Sequence, residues 1–512
     1  LTIKSITRRK PILHSTAMAF ASSSTESHVL PHIAIFPFMA KGHTIPLIQL
    51  VHHLRRRRLA TVTFFTTHGN AAFVREGLSG ADDTAVVELA FPADVSGIPP
   101  GVESAEGLTS MASLAAFAHA ASLLQPQLEA SLAAMEPPAS LLVADAFLYW
   151  TNAPAATLGV PKVSFFGISA FAQVMRELRI SHDPFPALQH ADVDGDGNPA
   201  TFTVPEFPHI KLTLEDLMAP FGDPSSVAPM MELDGKLGKA IEESHGLIVN
   251  TFQGLEKPYM EFWNKHYRPT AWAIGPLCLS QPPSSLSGDA GRPSWMEWLD
   301  EKAAAGRAVL YVALGTLAAI PEVQLKEVAD GLERAEVDFI WAVRPENIDL
   351  GAGFEERTKG RGLVVREWVD QLGILQHQSV RGFLSHCGWN SVLESVTAAV
   401  PLAVWPMHAD QPLNATFVVD ELKIAVRVHT SDRTMRGLAT SEEISEVVRK
   451  LMLGEVGTEA AKNVAELSMV AMESVLERGS SWRAVEEMIG ELCAPNSMHA
   501  KLEASKEESR DV

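Results

Sequence analysis

The sequence has 512 residues, of which 46% are hydrophobic and 20% charged, so it is long enough for two globular domains with buried cores. Its formal charge of −20 argues against nucleic acid or an anionic membrane surface as a partner. Three widely spaced cysteines indicate neither a disulfide framework nor a metal-binding knuckle, and no apolar run reaches the roughly 20 residues that span a bilayer. We therefore expect a cytoplasmic protein without integral membrane association.

The first 29 residues are expected to be a disordered leader. Residues 1–17 are basic and free of acidic side chains, which is typical of a transit peptide. The alternative is that translation starts at Met18 and that the preceding residues are untranslated leader. We favour Met18, because a short polar segment then leads into the first strand.

Short β-branched or aromatic runs alternate with helical patterns through the first half of the chain. The predicted strands are 32–38, 61–65, 141–145, 162–166 and 247–251. Helical patterns such as 45–57 and 123–135 lie between them. This alternation predicts βαβ units and a parallel sheet, so residues 30–274 are expected to form one Rossmann-like domain.

Residues 275–295 are rich in Pro, Ser and Gly and are predicted to be a linker. A second alternating series predicts strands at 308–315, 338–343, 363–368, 382–385, 402–406 and 424–428. Residues 296–480 should form a second Rossmann-like domain, followed by a helix at 481–495 that packs back on the first domain and a disordered tail at 496–512. We therefore predict an α/β fold in which two parallel-sheet domains face a central cleft, with ligands at the strand carboxyl ends.

The segment 383–395, FLSHCGWNSVLES, places polar side chains where a predicted strand meets a predicted helix. The helix should start near Gly388, and the first N–H groups of a helix attract anions. Asn390 and Ser391 add side-chain donors there. Glu394 shares a helix face with Asn390, where its carboxylate can accept two hydrogen bonds from a ribose diol.

Neighbouring strands supply further ligand groups. Trp368 ends the predicted strand 363–368 and offers a flat surface for a base, while Asp410 and Gln411 follow strand 402–406 and can reach the hydroxyls of a sugar. Base, ribose, diphosphate and sugar each have a partner, which predicts a nucleotide-sugar site. The motif HCGWNS by itself is also consistent with an N-capped core helix.

The 44 residues from Trp368 to Gln411 resemble the signature box of plant secondary-product UDP-glycosyltransferases, and the similarity extends from about His32 to Cys493. The resemblance implies a GT-B fold, with the UDP-sugar held mainly by the second domain. The residues that it implies for UDP-sugar binding are Thr316, Trp368, Val369, Gln371, His386, Trp389, Asn390, Ser391, Glu394, Asp410 and Gln411.

Roles within this set also follow from the resemblance. Trp368 is expected to stack on uracil, Gln371 to lie near the uridine, and Glu394 to hold the ribose hydroxyls. Gln411 resembles glucose-using members, which favours UDP-glucose as the donor. The residues expected at the phosphates are Thr316, His386, Asn390 and Ser391, and those expected at the sugar are Trp389, Asp410 and Gln411.

The sequence departs from the family pattern at four positions. Thr316 replaces the usual Ser and can still donate to a phosphate. Asp370 stands where Pro is usual, and Arg381 and Ala399 stand where Gly is common. None of these changes removes a ligand group, but Asp370 and Arg381 are expected to affect loop geometry and donor affinity.

His43 and Asp145 are the candidate catalytic pair. His43 follows the first predicted strand, and an imidazole with a pKa near ~6.5 suits a general base. Asp145 ends the strand 141–145 and can fix the tautomer of His43 if the sheet brings the two together. From the residues alone, an unconnected helix-entry His and strand-end Asp is an equal alternative. The resemblance implies the catalytic pair and a single displacement that yields a β-glucoside.

The acceptor is expected to be a small lipophilic molecule with a hydroxyl group. A flavonoid or another phenolic is favoured, and a terpenoid or hormone, or another UDP-sugar as donor, is the alternative. The candidate pocket residues, which are equally consistent with packing or structural roles, are Phe38, Met39, Phe147, Ile168 and His408.

No metal or other cofactor is expected. The acidic segment DVDGDGNPA at 192–200 resembles part of an EF-hand loop or a DxD metal site, but Thr203 stands at the twelfth position of the loop, so a surface turn is preferred. The expected partners are a UDP-sugar and a small acceptor, and the expected state is a monomer. A GT-B epimerase or phosphorylase and a non-catalytic nucleotide-sugar sensor are the competing interpretations.

Overall fold

The computed structural model describes residues 30–493 except 82, 109, 190–198, 219–220, 222–223, 281–291, 316–319, 344–348 and 435–436. The expected leader and the whole of the expected tail therefore lie outside the described residues. So do about half of the expected linker, most of the acidic segment 192–200 and the candidate phosphate ligand Thr316.

The first half of the chain forms a parallel sheet of seven strands, with a small antiparallel hairpin outside it. The strands are β1 (His32–Phe36), β2 (Thr61–Thr67), β3 (Ala85–Leu89), β4 (Leu141–Asp145), β5 (Lys162–Phe165), the hairpin strands β6 (Thr201–Thr203) and β7 (Lys211–Thr213), β8 (Gly246–Val249) and β9 (Ala271–Ala273). Their order in the sheet is β3-β2-β1-β4-β5-β8-β9, so the direction of winding reverses between β1 and β4.

Helices cover this first sheet on both faces. Alternate side chains of β1 point to opposite faces, so Ile33 packs with the apolar stripe of the first helix and Phe36 packs on the other side. The helices are α1 (Lys41–Arg56), α2 (Ala71–Gly77), α3 (Met111–Ala121), α4 (Gln125–Ala133), α5 (Asn152–Thr157), α6 (Ala170–His182), α7 (Phe185–Gln189), α8 (Leu214–Met218), α9 (Val227–Glu242) and α10 (Gln253–His266).

The second half forms a parallel sheet of six strands in the order β12-β11-β10-β13-β14-β15. Its strands are β10 (Val309–Ala313), β11 (Asp338–Ala342), β12 (Gly362–Val365), β13 (Val380–Ser385), β14 (Leu402–Val404) and β15 (Ala425–Arg427). Its helices are α11 (Ser294–Ala304), α12 (Glu322–Ala335), α13 (Phe354–Arg357), α14 (Gln371–Leu375), α15 (Trp389–Thr397), α16 (Gln411–Thr416), α17 (Ser441–Leu453) and α18 (Glu455–Val475). The predicted α/β class, with two parallel-sheet Rossmann-like domains, is confirmed.

The last helix, α19 (Ser480–Leu492), packs against the first sheet. Its apolar face, with Val485 and Met488, belongs to the same buried cluster as β1. Arg57 at the end of α1 reaches this helix, since its Nη2 donates to Glu486 Oε1 at 2.6 Å and its guanidinium lies 3.5 Å from the ring centre of Trp482. The carboxyl terminus of the described chain therefore ends on the first domain.

Strand ends differ from the prediction where the neighbouring strand stops. The predicted strand 363–368 ends at Val365, which pairs with Ala342, the last residue of β11. Trp368 therefore lies in the following loop and not in the sheet. The prediction also missed β3 and β9, because β3 is an edge strand that carries Glu88 and β9 has only three residues.

Two departures from the family pattern have local explanations. Asp370 is the N-cap of α14, since its side chain accepts a hydrogen bond from the backbone N–H of Gly373 at 3.0 Å. Arg381 is exposed on β13, so its side chain meets no packing constraint.

Within the described part of the chain, no helix combines the length and apolar character required to span a membrane.

Ala399 lies two residues after the end of α15 and has a left-handed backbone, with a φ of 56°. The N–H of Ala399 bonds to the carbonyl of Val396 at 3.1 Å and the N–H of Val400 to that of Ser395 at 3.0 Å, which is the Schellman pattern that favours glycine. We expect Ala399→Gly to raise the free energy of unfolding by about 0.5–1 kcal/mol, because the left-handed penalty of a Cβ exceeds the added entropy of glycine in the unfolded chain.

Thermal unfolding of Ala399→Gly beside Ala398→Gly tests this prediction. Ala398 precedes it with a right-handed backbone, so glycine at that position should lower the melting temperature. If both variants melt below the wild type, the strain at Ala399 is not significant.

Candidate active site

His43 and Asp145 meet at the carboxyl edge of the first sheet. β1 and β4 are adjacent and parallel, so the chain leaving each strand passes the same point. His43 lies in the first turn of α1, and its Nδ1 is 2.8 Å from Asp145 Oδ2. Asp145 is fully buried, and its Oδ1 accepts a hydrogen bond from the N–H of Phe147 at 2.9 Å. Nδ1 is thus engaged, and Nε2 is the ring nitrogen that can take a proton from an acceptor.

The charges around His43 favour the protonated ring. Burial lowers the pKa of His43, but the charge and hydrogen bond of Asp145 oppose it, and the charges of Asp410 and Glu106 add to that opposition. The net result is a pKa raised above 6.5. A base with a raised pKa accepts a proton more readily, which suits proton removal from a hydroxyl group.

Aromatic side chains surround the imidazole of His43. The rings of Phe38 and Phe147 lie edge-on to it, with centroid distances of 5.6 Å and 5.2 Å. Phe38 and Met39 are buried in the core, whereas Phe147 and Ile168 are only partly buried. Of these four candidate pocket residues, Phe147 and Ile168 are therefore the ones that can contact an acceptor.

The helix α15 begins at Trp389, and its N-cap, Gly388, makes no side-chain capping bond. The prediction of a helix start near Gly388 is confirmed. The side chain of Asn390 crosses the cleft, since its Nδ2 donates to the carbonyl of Gly42, next to His43, at 2.7 Å. The start of this helix in the second domain is thus in direct contact with α1, the helix of the first domain that carries His43.

Trp389 has a different environment from the one expected. Its indole is buried, and Nε1 donates to the carbonyl of Asn250 in the first domain at 2.8 Å. This side chain therefore forms part of the interface between the two domains. Any contact of Trp389 with a sugar falls to its backbone N–H at the start of the helix.

The candidate ribose ligand Glu394 belongs to a network of side chains. Gln371 Nε2 donates to Glu394 Oε2 at 2.7 Å and to Ser391 Oγ at 3.0 Å, while Tyr311 donates to Gln371 Oε1 at 3.2 Å. Burial raises the pKa of Glu394 to about 7, although the hydrogen bond from Gln371 opposes this. Tyr311 was missed by the sequence analysis because it looks like an ordinary strand residue of β10.

Trp368 lies at the mouth of the cleft with 49% of its surface exposed. Lys41 reaches it from the first domain, with Nζ 4.1 Å from the centre of the indole and 5.3 Å from that of Phe73. Val369 next to it is partly buried against the core. The indole thus faces the cleft, and Lys41 is a neighbour that the sequence analysis overlooked although it precedes His43 by two residues.

His386 and His408 follow the adjacent strands β13 and β14. Burial, followed by the charge of His408, lowers the pKa of His386 to about 4, so this imidazole is neutral at pH 7. Nδ1 of His386 and both ring nitrogens of His408 are buried and have no hydrogen-bond partner among the described residues. Buried polar atoms are normally paired, so these nitrogens are available to a ligand.

Asp410 and Gln411 lie at the start of α16. Burial raises the pKa of Asp410, with the hydrogen bond from Asn414 opposing this. Gln411 is buried, and its Oε1 accepts from the N–H groups of Met407 at 2.9 Å and His408 at 3.2 Å. This leaves Nε2 of Gln411 as the donor that can reach a sugar hydroxyl.

The described residues contain no group of three or more His, Cys, Asp or Glu side chains arranged to hold a metal ion. Most of the acidic segment 192–200 lies outside the described residues. The candidate site consists of a histidine hydrogen-bonded to a buried carboxylate, a helix N-terminus, an exposed indole and a second buried carboxylate.

The sequence of this chain is similar to those of known proteins. Residues 290–477 match the family model of UDP-glucuronosyl and UDP-glucosyl transferases. The chain is 42% identical to UDP-glycosyltransferase 90A1 of Arabidopsis thaliana, over 92% of this chain and 98% of the relative. It is 33% identical to UDP-glucose flavonoid 3-O-glucosyltransferase 7 of Fragaria ananassa, over 90% and 96% of the two chains.

A solved structure shows the same fold. UGT73P12 of Glycyrrhiza uralensis, complexed with glycyrrhetinic acid 3-O-monoglucuronide, superposes with a TM-score of 0.79 at 30% identity, over 94% of this chain and 99% of that one. Two Rossmann-like domains around a shared cleft constitute the GT-B fold. The chain belongs to the plant UDP-glycosyltransferases of glycosyltransferase family 1, and it is an enzyme of that class.

Proposed function

We propose that this enzyme is an inverting O-glucosyltransferase that transfers glucose from UDP-glucose to a small lipophilic hydroxylated acceptor. The observation that carries the proposal is the hydrogen bond of 2.8 Å between His43 and Asp145 beside the start of α15. A base and an anion-binding helix N-terminus in one cleft are what a single displacement requires.

In the proposed reaction, Nε2 of His43 takes the proton of the acceptor hydroxyl. The acceptor oxygen bonds to the anomeric carbon of UDP-α-glucose from the face opposite UDP, and the bond from that carbon to the diphosphate oxygen breaks. The products are a β-glucoside and UDP, and the proton remains on the imidazole. Asp145 stabilises the imidazolium, and the N–H groups at the start of α15 stabilise the charge on the departing UDP.

The donor assignment depends on Asp410 and Gln411. Both lie at the carboxyl edge of the second sheet, where Asp410 offers a carboxylate oxygen and Gln411 an amide donor. The proposed uridine contacts are Trp368 for the base and Glu394 for the ribose. Neutralisation of the phosphates is assigned to this chain's own donors, so the proposed reaction needs no metal ion or other cofactor. We also propose that the enzyme acts as a monomer.

The acceptor proposal is a flavonoid or another phenolic. Phe147 and Ile168 beside His43 offer apolar surface, and pockets for such ligands are mainly apolar with few polar groups. The relative from Fragaria ananassa is named as a flavonoid glucosyltransferase. The glycyrrhetinic acid glucuronide in the Glycyrrhiza structure supports a terpenoid as the alternative acceptor.

The test is UDP release by residues 18–512 from UDP-glucose, with pooled flavonoid, phenol and terpenoid acceptors and an excess of EDTA. We expect turnover that persists in EDTA and is lost in His43→Ala, after which dividing the pool identifies the acceptor. If UDP-glucose binds but no pool is glucosylated, the sensor interpretation gains support. A wild type that does not bind UDP-glucose would contradict the proposal.

A further inference from the structure

Asn414 on α16 connects three groups at the boundary between the domains. Its Nδ2 donates to Asp410 Oδ2 at 2.7 Å and to the carbonyl of Cys387 at 3.1 Å. Its Oδ1 accepts the hydroxyl proton of Ser169 at 2.9 Å. Asn414, Cys387 and Ser169 are completely buried, and Ser169 belongs to the first domain while the other three residues belong to the second.

The orientation of the Asn414 amide follows from its partners. A carboxylate and a backbone carbonyl are acceptors only, so the amide nitrogen must face Asp410 and Cys387. In the reversed orientation, Oδ1 would face two acceptors in a buried site, which is costly. The amide oxygen therefore faces Ser169, whose hydroxyl donates to it.

Ser169 is held firmly in the first domain. It is the N-cap of α6, and its Oγ accepts a hydrogen bond from the N–H of Ala172 at 3.0 Å, which leaves its proton for Asn414. The buried carboxylate of Glu256 accepts from the N–H groups of Ala170 at 3.1 Å and Phe171 at 2.7 Å. The start of α6 thus presents the Ser169 hydroxyl in one direction.

The same segment passes the catalytic imidazole. A Cβ placed on Gly167, two residues before Ser169, would lie 3.7 Å from His43 Nδ1. The segment 167–169 therefore passes close to His43 at Gly167 and reaches Asn414, the partner of Asp410, at Ser169.

We propose that Asn414 is a positioning residue that turns the Asp410 carboxylate towards the donor sugar and takes its own orientation from Ser169 of the first domain. With Oδ2 engaged by Asn414, Asp410 presents Oδ1 to the sugar hydroxyls. The acceptor domain thereby contributes to sugar recognition without touching the sugar. The inference depends on the proposed function for the identity of the sugar, and on the observed contacts for everything else.

The test compares the dissociation constants of UDP and UDP-glucose, which differ only by the sugar, in calorimetric titrations. For Asn414→Ala we expect the ratio of the UDP-glucose constant to the UDP constant to rise about 10-fold, because a hydrogen bond to a charged group is lost. For Ser169→Ala, which removes a single oxygen, we expect a smaller rise of about 2- to 5-fold. Asn463→Ala, which removes the bond of 3.0 Å to the carbonyl of Lys423 outside the cleft, should leave the ratio unchanged.

A merely structural role would weaken both ligands equally and leave the ratio unchanged, which would overturn the positioning role. If the ratio is unchanged in Ser169→Ala alone, the inference that Asn414 takes its orientation from the first domain is overturned. The titrations need no acceptor, so a wild type that binds UDP-glucose but glucosylates nothing would contradict the proposed function, while the ratio would still decide the role of Asn414.

Discussion

Replacing Asp145 with asparagine is expected to lower the turnover number by about 10²- to 10⁴-fold and to leave UDP-glucose binding within about twofold of the wild type. Oδ1 of residue 145 accepts from the N–H of Phe147, so the amide oxygen of asparagine should occupy that place. The amide nitrogen then faces His43 Nδ1 and donates to it. The proton of the imidazole moves to Nε2, which removes the lone pair that would accept the acceptor's proton.

Single-turnover and steady-state assays of Asp145→Asn measure this effect, with His43→Ala as the parallel loss of the base itself. His68→Ala is the matched control, because this exposed histidine of the same domain also pairs with a carboxylate, Glu88, at 2.7 Å. It should retain wild-type turnover. An Asp145→Asn enzyme with more than a tenth of wild-type turnover would exclude the proposed role of Asp145.

The pH dependence of turnover is a second test of the pair formed by His43 and Asp145. The proposed base must be neutral before it accepts a proton, so wild-type turnover should fall as the pH drops through the pKa of His43, which lies above 6.5. The charge of Asp145 is a cause of that raised pKa, and Asp145→Asn removes it. The acid limb of the residual activity should therefore move to lower pH, and an unmoved limb would assign it to another group.

Replacing Glu394 with glutamine is expected to weaken UDP binding by about 10- to 100-fold. A carboxylate can accept hydrogen bonds from both ribose hydroxyls, and bonds to charged groups contribute about 1.5–3 kcal/mol each. Glutamine keeps the size of the side chain and an oxygen for Gln371, but it has one acceptor oxygen where glutamate has two. Because the pKa of Glu394 is about 7, UDP affinity should also decline as the pH falls below 7 and the carboxyl takes up a proton.

Calorimetric titration with UDP and with 2′,3′-dideoxy-UDP distinguishes this role from general damage to the site. The dideoxy compound lacks the proposed partners of Glu394, so Glu394→Gln should bind it about as the wild type does. Glu367→Gln is the charge-matched control, since this exposed carboxylate is adjacent to Trp368 in the same loop. Equal loss of affinity for both nucleotides would assign Glu394 to the packing of α15.

The features that the sequence predicted are those that depend on residues close together along the chain. The alternation of strands and helices predicted both sheets, because short β-branched or aromatic runs and helical patterns depend on neighbours along the chain. From the residues alone the pairing of His43 with Asp145 was one of two equal alternatives, and the family resemblance implied it. The distance of 2.8 Å shows that the common edge of the parallel strands brings the two side chains together. The helix start at Gly388 followed from the same local signals.

Contacts between distant parts of the chain were decided by the tertiary structure alone. Asn390 bonds to Gly42, Trp389 to Asn250 and Asn414 to Ser169, and each pair joins the two domains across more than a hundred residues. Hydropathy and spacing give no information on such a bond, because it depends on how one domain lies against the other. The sequence by itself therefore indicated the candidate pair His43 and Asp145 and the donor motif, whereas the domain packing decided that Trp389 lies buried between the domains and that Asn414 meets Ser169.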